Sequence, residues 1–275
     1  MTQDNQAQIE YWNGEAGTTW VRAQEPMDAM LTPLSDQALT RAAAMPGERV
    51  IDVGCGCGTT TLALAERGAR VHGIDISEPM LQRARERAAG MDNVEFSCTD
   101  AATAPFTPDH PLVFSRFGVM FFADPVAAFA NLRRAMTEDG RLVFLCWQAP
   151  AVNPWISIPG RTVQPFLPDA PAADPKDPGP FAFADVDYLA GILEDAGFGG
   201  VEIDSATADL QLGDGLKEAM QFLSEIGPMA RVLSELDGET RETALAAVRE
   251  VLAAEMTADG LSLGAAAWLV WARRQ

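Results

Sequence analysis

The chain has 275 residues, 48% hydrophobic and 21% charged, an ordinary balance for one large globular domain or one domain with a cap. Its 39 acidic side chains against 20 Lys and Arg leave a formal net charge of −19, which argues against a nucleic-acid substrate, since phosphates must be neutralised by basic groups. No apolar run reaches the roughly 18 residues of a membrane span, and the polar stretch Met1–Glu10 lacks a secretory pattern, so a cytoplasmic chain is expected.

Two amphipathic helices are predicted first, over Gln6–Arg22 and Met27–Ala44, separated near Glu25-Pro26 and together forming a cap segment over residues 1–46. Trp12 and Trp20 lie eight apart, bracketing one helical face over two turns, although Gly14 and Gly17 weaken that helix. Residues 47–275 then read as an α/β domain. Strands are expected at Arg49–Val53, Arg70–Asp75, Asn93–Cys98, Pro111–Phe117 and Arg141–Trp147. Helices are expected at Thr59–Arg67, Pro79–Ala89 (with Ser77 as its N-cap) and Asp124–Met136. Strands alternating with helices imply a parallel, doubly wound sheet covered on both faces.

The second half changes character. Ala149–Pro180 is rich in proline and reads as a long, partly irregular connection. A helix over Asp185–Ala196 and a strand over Gly200–Ala206 follow. Asp214–Ala258 is mostly helical with breaks at Gly227-Pro228 and Gly238, and the hydrophobic strand Ala265–Arg273 ends the chain. Two cap insertions result, at about 149–182 and 212–260. They carry Trp155, Ile156, Phe166 and Leu167 in the first, and Met220, Phe222, Leu223, Ile226 and Met229 at helical spacing in the second.

The densest signal is RVIDVGCGCGTT, where Gly54, Gly56 and Gly58 follow a strand directly. A nucleoside triphosphate loop of the Gly-x-x-x-x-Gly-Lys-Ser/Thr type is excluded, because no lysine is near Gly58. A dinucleotide fingerprint would need its third glycine at position 59, which is threonine. Cys55 and Cys57 share the loop, while Cys98 and Cys146 are distant, so neither a metal site nor a disulfide is expected.

The register Asp52-x-Gly54-x-Gly56-x-Gly58 resembles the first motif of the class I S-adenosylmethionine-dependent methyltransferases. The likeness continues through VHGIDIS, which ends at a strand carboxylate, Asp75, and through CTDAATAPF with Asp100, PLVFSRFGVMFF and LRRAMTEDGRLVF. It covers roughly 49–147 and lies nearest the small-molecule branch of ubiquinone and menaquinone methyltransferases. One departure is His110-Pro111, where the family often carries an acidic residue ahead of the fourth strand.

The resemblance implies a Rossmann-like, seven-stranded, mostly parallel sheet with an antiparallel last strand and a helical cap, and S-adenosyl-L-methionine as cofactor. It places Asp52, Gly54, Cys55, Gly56, Thr59, Thr60, Asp75, Ile76, Met80, Asp100, Ala101, Ser115, Arg116 and Phe117 at the cofactor. Asp75 would accept the ribose hydroxyls, Asp100 would face the adenine amine, and the Thr59 and Thr60 hydroxyls and helix N–H groups would meet the methionine carboxylate. Arg22 is a second candidate for that carboxylate. Trp12, Trp20, Trp147, Trp155 and Phe222 are candidates for the substrate and cap, with Trp12 and Trp20 read as an aromatic wall suiting a cationic sulfonium. Tyr11 is the candidate to touch the reacting groups. His72 and His110 read as structural, so no histidine base is expected and the acceptor should already be nucleophilic near neutral pH.

The expected partner is a small, largely apolar or aromatic acceptor, with no nucleic acid, no membrane span, and a monomer or homodimer. A non-catalytic protein binding S-adenosylmethionine or S-adenosylhomocysteine is the alternative, and an α/β oxidoreductase is disfavoured by the glycine register.

Overall fold

The computed structural model describes residues 5–168, 174–225 and 227–275. Ile226 and part of the first insertion, residues 169–173, therefore lie outside the described residues. Seven strands form one sheet: β1 (Arg49–Val53), β2 (Arg70–Asp75), β3 (Val94–Cys98), β4 (His110–Arg116), β5 (Met136–Trp147), β6 (Phe198–Gly213) and β7 (Leu261–Arg274). Their order is β3-β2-β1-β4-β5-β7-β6. The first five pair in parallel, and β7 runs antiparallel to both β5 and β6. Continuous burial along Val50–Val53 and Leu112–Ser115 is what a strand covered on both faces requires.

The helices are α1 (Gln6–Asn13), α2 (Glu15–Arg22), α3 (Gln24–Ala42), α4 (Thr59–Glu66), α5 (Glu78–Arg87), α6 (Pro125–Ala135), α7 (Pro154–Val163), α8 (Val186–Asp195), α9 (Leu216–Glu225), α10 (Gly227–Ser234) and α11 (Gly238–Ala254). α3 crosses β4 to β7 and buries Met30, Leu31, Leu34, Ala38 and Ala42 in the main core. Such a long apolar contact makes α3 part of the body of the fold, while α1 and α2 lie against each other, with α2 packed on α5.

Several boundaries differ from the sequence expectation. The first predicted helix splits at Gly14 into α1 and α2. The second begins at Gln24, so Pro26 falls in its first turn, where a missing N–H costs no helical hydrogen bond. The segment 149–180, read as a long, partly irregular connection, contains α7; Pro159 and Gly160 had obscured its periodicity, but Trp155, Ile156, Pro159 and Val163 bury one face. β6 and β7 outrun their predicted lengths because they pair with each other past the end of β5, from Thr207 to Gly213 against Leu261 to Ala266. β5 starts early as well, with Met136 pairing His110 ahead of a register shift. α7 packs on α10, α11 and β7, so the two insertions, distant in sequence, meet as one helical layer.

Candidate active site

The parallel strands send the segments after β1, β2, β3, β4 and β5 out along one edge, where this architecture places its ligands. After β1 the chain turns through Gly54 and Gly56, both at positive φ (+64° and +55°). A Cβ on Gly54 would stand 2.6 Å from the Gly118 Cα, backbone against backbone, whereas one on Gly56 would meet the mobile end of Met80 at 2.8 Å. Ser115 secures the approach from β4: its hydroxyl donates to the Val53 carbonyl (2.8 Å) and accepts the Gly118 N–H (3.2 Å). Gly118 was not among the expected residues; only the three-dimensional proximity of the two turns identifies it.

Asp75 accepts the Gly56 N–H on one oxygen and the Ser77 N–H on the other, each at 2.8 Å, and burial pushes its carboxyl up. Asp52 is fully buried. Its Oδ2 accepts the hydroxyls of Thr60 (2.8 Å) and Thr61 (2.6 Å), its Oδ1 has no partner, and burial raises its pKa to about 6. The Thr59 hydroxyl donates to Asp28 Oδ1 (2.6 Å) and accepts from Arg87 (2.9 Å). Both threonine hydroxyls thus face protein carboxylates, and α4 is left to offer its first-turn N–H groups, which no helical carbonyl can reach. Asp28 was also unforeseen, since nothing in its local sequence marks it apart from other helical acids.

At the β2 and β3 ends, α1 lies across the edge. Asn5 donates to Asp100 Oδ1 and accepts the Ala123 N–H, each at 2.9 Å. Asn13 donates to the Ile76 carbonyl (2.7 Å) and accepts the Glu78 N–H (3.0 Å). The cap of α5 therefore comes from Asn13 and not from the Ser77 side chain, whose hydroxyl donates to the Trp12 carbonyl instead. Ala101 is buried beside Asp100, its carbonyl accepting from Asn131 (2.9 Å). Arg22 is exposed and reaches only Thr19 among the contacts described.

Beyond β4 and β5 the site is aromatic. Phe117 holds φ +60° and stacks on Trp147 at 4.1 Å, with Trp155 a further 5.0 Å from Trp147. Trp155 donates its indole N–H to Asn153 Oδ1 (3.1 Å), and fully buried Asn153 also accepts the Ala266 N–H (2.9 Å) and donates to the carbonyls of Gln148, Ala149 and Ala266. On the N-terminal side Trp12 meets Trp20 at 6.0 Å across the helix break and Phe121 at 5.3 Å. Tyr11 is half exposed with its ring against Trp12, and Phe222 on α9 packs against the core.

His110 begins β4, at the opposite edge of the sheet, and His72 lies within β2 beside Ser97 (2.8 Å). Burial pushes the Cys55 thiol far up and that of Cys57 to about 12, so both stay protonated near neutrality. Among the described residues no three His, Cys, Asp or Glu groups gather as metal ligands.

A seven-stranded sheet of this order, with a glycine turn after β1 and a carboxylate ending β2, defines a Rossmann-like methyltransferase. A model of the methyltransferase domain matches residues 50–140. The chain is 34% identical over 212 residues to a demethylmenaquinone methyltransferase of Clavibacter sepedonicus, covering 72% of this chain and 86% of that one. It is also 34% identical over 119 residues to aklanonic acid methyltransferase DauC of a Streptomyces species, covering 41% and 54%. The fold is similar to that of YcgJ from Bacillus subtilis, with a TM-score of 0.59, 16% identity and coverage of 88% and 97%. It is equally similar to phosphoethanolamine N-methyltransferase 2 of Haemonchus contortus in complex with S-adenosyl-L-methionine (TM-score 0.59, 17% identity, coverage 97% and 60%). The chain belongs to the class I S-adenosylmethionine-dependent small-molecule methyltransferases. It is an enzyme that uses S-adenosylmethionine, and among its described residues no helix is long and apolar enough to cross a membrane.

Proposed function

We propose that the enzyme methylates a medium-sized, largely apolar or aromatic metabolite bound beneath α1, α2 and the two insertions. The observation that carries this reading is the run of rings from Phe117 through Trp147 to Trp155, which leads from the end of β4 into the cap. A positive φ at a bulky residue costs free energy, and a fold retains it where the side-chain direction is needed. The names of two relatives, one acting on demethylmenaquinone and one on aklanonic acid, agree with such an acceptor.

In this reading Gly54 and Gly56 let the backbone lie against the cofactor, with Cys55, Ile76, Met80 and Ser115 around it. Asp75 meets the ribose, Asp100 and Ala101 the adenine, and the first turn of α4 the methionine carboxylate. The residues fit the group: a turn with bare Cα atoms, a buried carboxylate oxygen without a partner, and hydrogen-bond acceptors at the ends of β2 and β3. When bound, S-adenosylmethionine would supply a methyl carbon activated by its sulfonium for direct displacement by the acceptor. The protein's part is alignment and exclusion of water. Trp12 and Trp20 would offer aromatic surface to the positive charge. With both histidines away from this edge, the acceptor is a group already nucleophilic near neutrality, such as a phenolate or an enolic carbon. The acidic surface fits a cytoplasmic enzyme, monomeric or dimeric, that does not act on nucleic acid.

Incubation with S-adenosylmethionine and a panel of alkylated naphthoquinols, polycyclic phenols and small hydrophilic amines tests the proposal. Products heavier by one methyl group are expected from the first two classes. Turnover confined to the hydrophilic amines would overturn it.

A further inference from the structure

Asp28 receives more partners than any neighbouring surface acid. It lies on α3, and its carboxylate takes the Thr59 hydroxyl from the start of α4 (2.6 Å) and the Gln24 amide from its own helix. It pairs with Arg87 of α5 at 3.2 Å and stands 3.6 Å from Arg116 at the end of β4. Arg87 in turn donates to the Cys57 carbonyl (2.7 Å) and to Thr59 Oγ1 (2.9 Å), gripping the second half of the glycine turn from outside. Arg116 is 10% exposed, yet its two described contacts, to Asp28 and to Ser35 Oγ at 3.3 Å, are long for a guanidinium with five N–H donors.

We propose that Asp28 is a positioning residue for the methionine half of S-adenosylmethionine. Its carboxylate fixes Thr59 and draws Arg87 and Arg116 to the mouth of α4, so that the cofactor's carboxylate meets a rigid cationic rim. Arg87 and Arg116 face two carboxylates, Asp28 and, beside Arg116, the buried Asp52, so the partial positive charge of the α4 N-terminus tips the local balance positive in a chain whose formal charge is −19. That field suits an anionic group, and the N–H groups of α4 give it direction. Asp75 and Asp100 lie further along the edge, at β2 and β3, so the order of the strands separates this end from the nucleoside end. The inference rests on the cofactor lying along this edge with its methionine end between β1 and β4.

Calorimetry on wild type, Asp28→Ala and Asp28→Asn tests it with two ligands, S-adenosylhomocysteine and methylthioadenosine, which lacks the amino-acid portion. Wild-type binding of S-adenosylhomocysteine checks the underlying cofactor reading separately. Asp28→Ala should weaken S-adenosylhomocysteine by on the order of 10- to 100-fold with unchanged stoichiometry, and methylthioadenosine by less than about threefold. Asp28→Asn keeps an oxygen for Thr59 but not the charge that gathers the arginines, and should fall between; it also serves if the alanine variant does not fold. Unchanged affinity for S-adenosylhomocysteine in the asparagine variant, or equal loss for both ligands, would overturn the proposal.

Discussion

Phe117 and Trp147 stack with ring planes 10° apart and centroids separated by 4.1 Å, and the phenylalanine does so from a left-handed backbone. An L side chain in that region gives up roughly 1–2 kcal/mol, which glycine does not. Phe117→Gly and Phe117→Ala both lose the ring, but only the glycine variant relieves the backbone. We expect the glycine variant to melt a few degrees above the alanine variant, while both raise the KM for an aromatic acceptor. The reverse order of melting would remove the strain from the account.

Asn153 and Trp155 should behave as one unit. The single indole-to-amide hydrogen bond ties the cap ring to the β7 backbone through Ala266. Trp155→Phe removes the donor and keeps an aromatic ring; Asn153→Ala removes the acceptor and strands several buried backbone groups. A double-mutant cycle in urea should give a coupling of about 0.5–3 kcal/mol. Additive effects would mean that Trp155 is held by packing alone.

The parallel half of the sheet could be read from the sequence because each element there carries its own signal. Apolar runs such as Val50–Val53 end at a glycine turn, and two helices carry a proline, Pro79 and Pro125, in their first turn. The same holds for Asp75, since a carboxylate ending the second strand has a place fixed by topology. The unforeseen residues are those whose partners are remote in sequence. Asp28 acts on Thr59, Asn5 on Asp100, Asn13 on Glu78, and Gly118 on Gly54, and no periodicity records such pairs. α7 was hidden for a different reason: Pro159 and Gly160 depress helix propensity locally, and burial against α11 outweighs them.

Asp52 gives stability a pH dependence whose sign is unusual for an aspartate. Burial lifts its pKa from 3.8 to about 6, so between those values the folded protein binds more protons than the unfolded chain. Stability from this group is therefore full below the unfolded value and is lost as pH rises through the folded one. The loss is on the order of 3 kcal/mol for a shift of this size. Asp52→Asn cannot ionise and should flatten this part of the curve. Denaturant midpoints measured from about pH 4 to about pH 7 check it; an unchanged slope in the variant would assign the dependence to other groups.

Gly54 and Gly56 sit two residues apart in the same turn, both at positive φ, yet their replacement should fail in different ways. At Gly54 a methyl group would stand 2.6 Å from the Gly118 Cα, and a Cβ on Gly118 would in turn stand 2.6 Å from the Val53 carbonyl oxygen. Backbone cannot swing aside as a side chain can, so Gly54→Ala must separate the turn after β1 from the turn after β4 and break the Ser115 bonds that join them. Among the described residues beyond its chain neighbours, the one atom that a Cβ on Gly56 would meet is Met80 Cε, the end of a flexible chain that can rotate away. Gly56→Ala should then lose roughly 1–2 kcal/mol to its dihedral and still fold. What it cannot do is admit a ligand against the same Cα. We expect Gly54→Ala to be insoluble or to melt far below wild type, and Gly56→Ala to melt close to wild type while losing most of its affinity for S-adenosylhomocysteine. Cys55→Ser and Cys57→Ser, flanking the same glycine with protonated thiols, should keep most of that affinity. If Gly56→Ala binds as wild type does, the cofactor does not lie against that Cα, and the turn is a structural device of the β1–α4 connection alone.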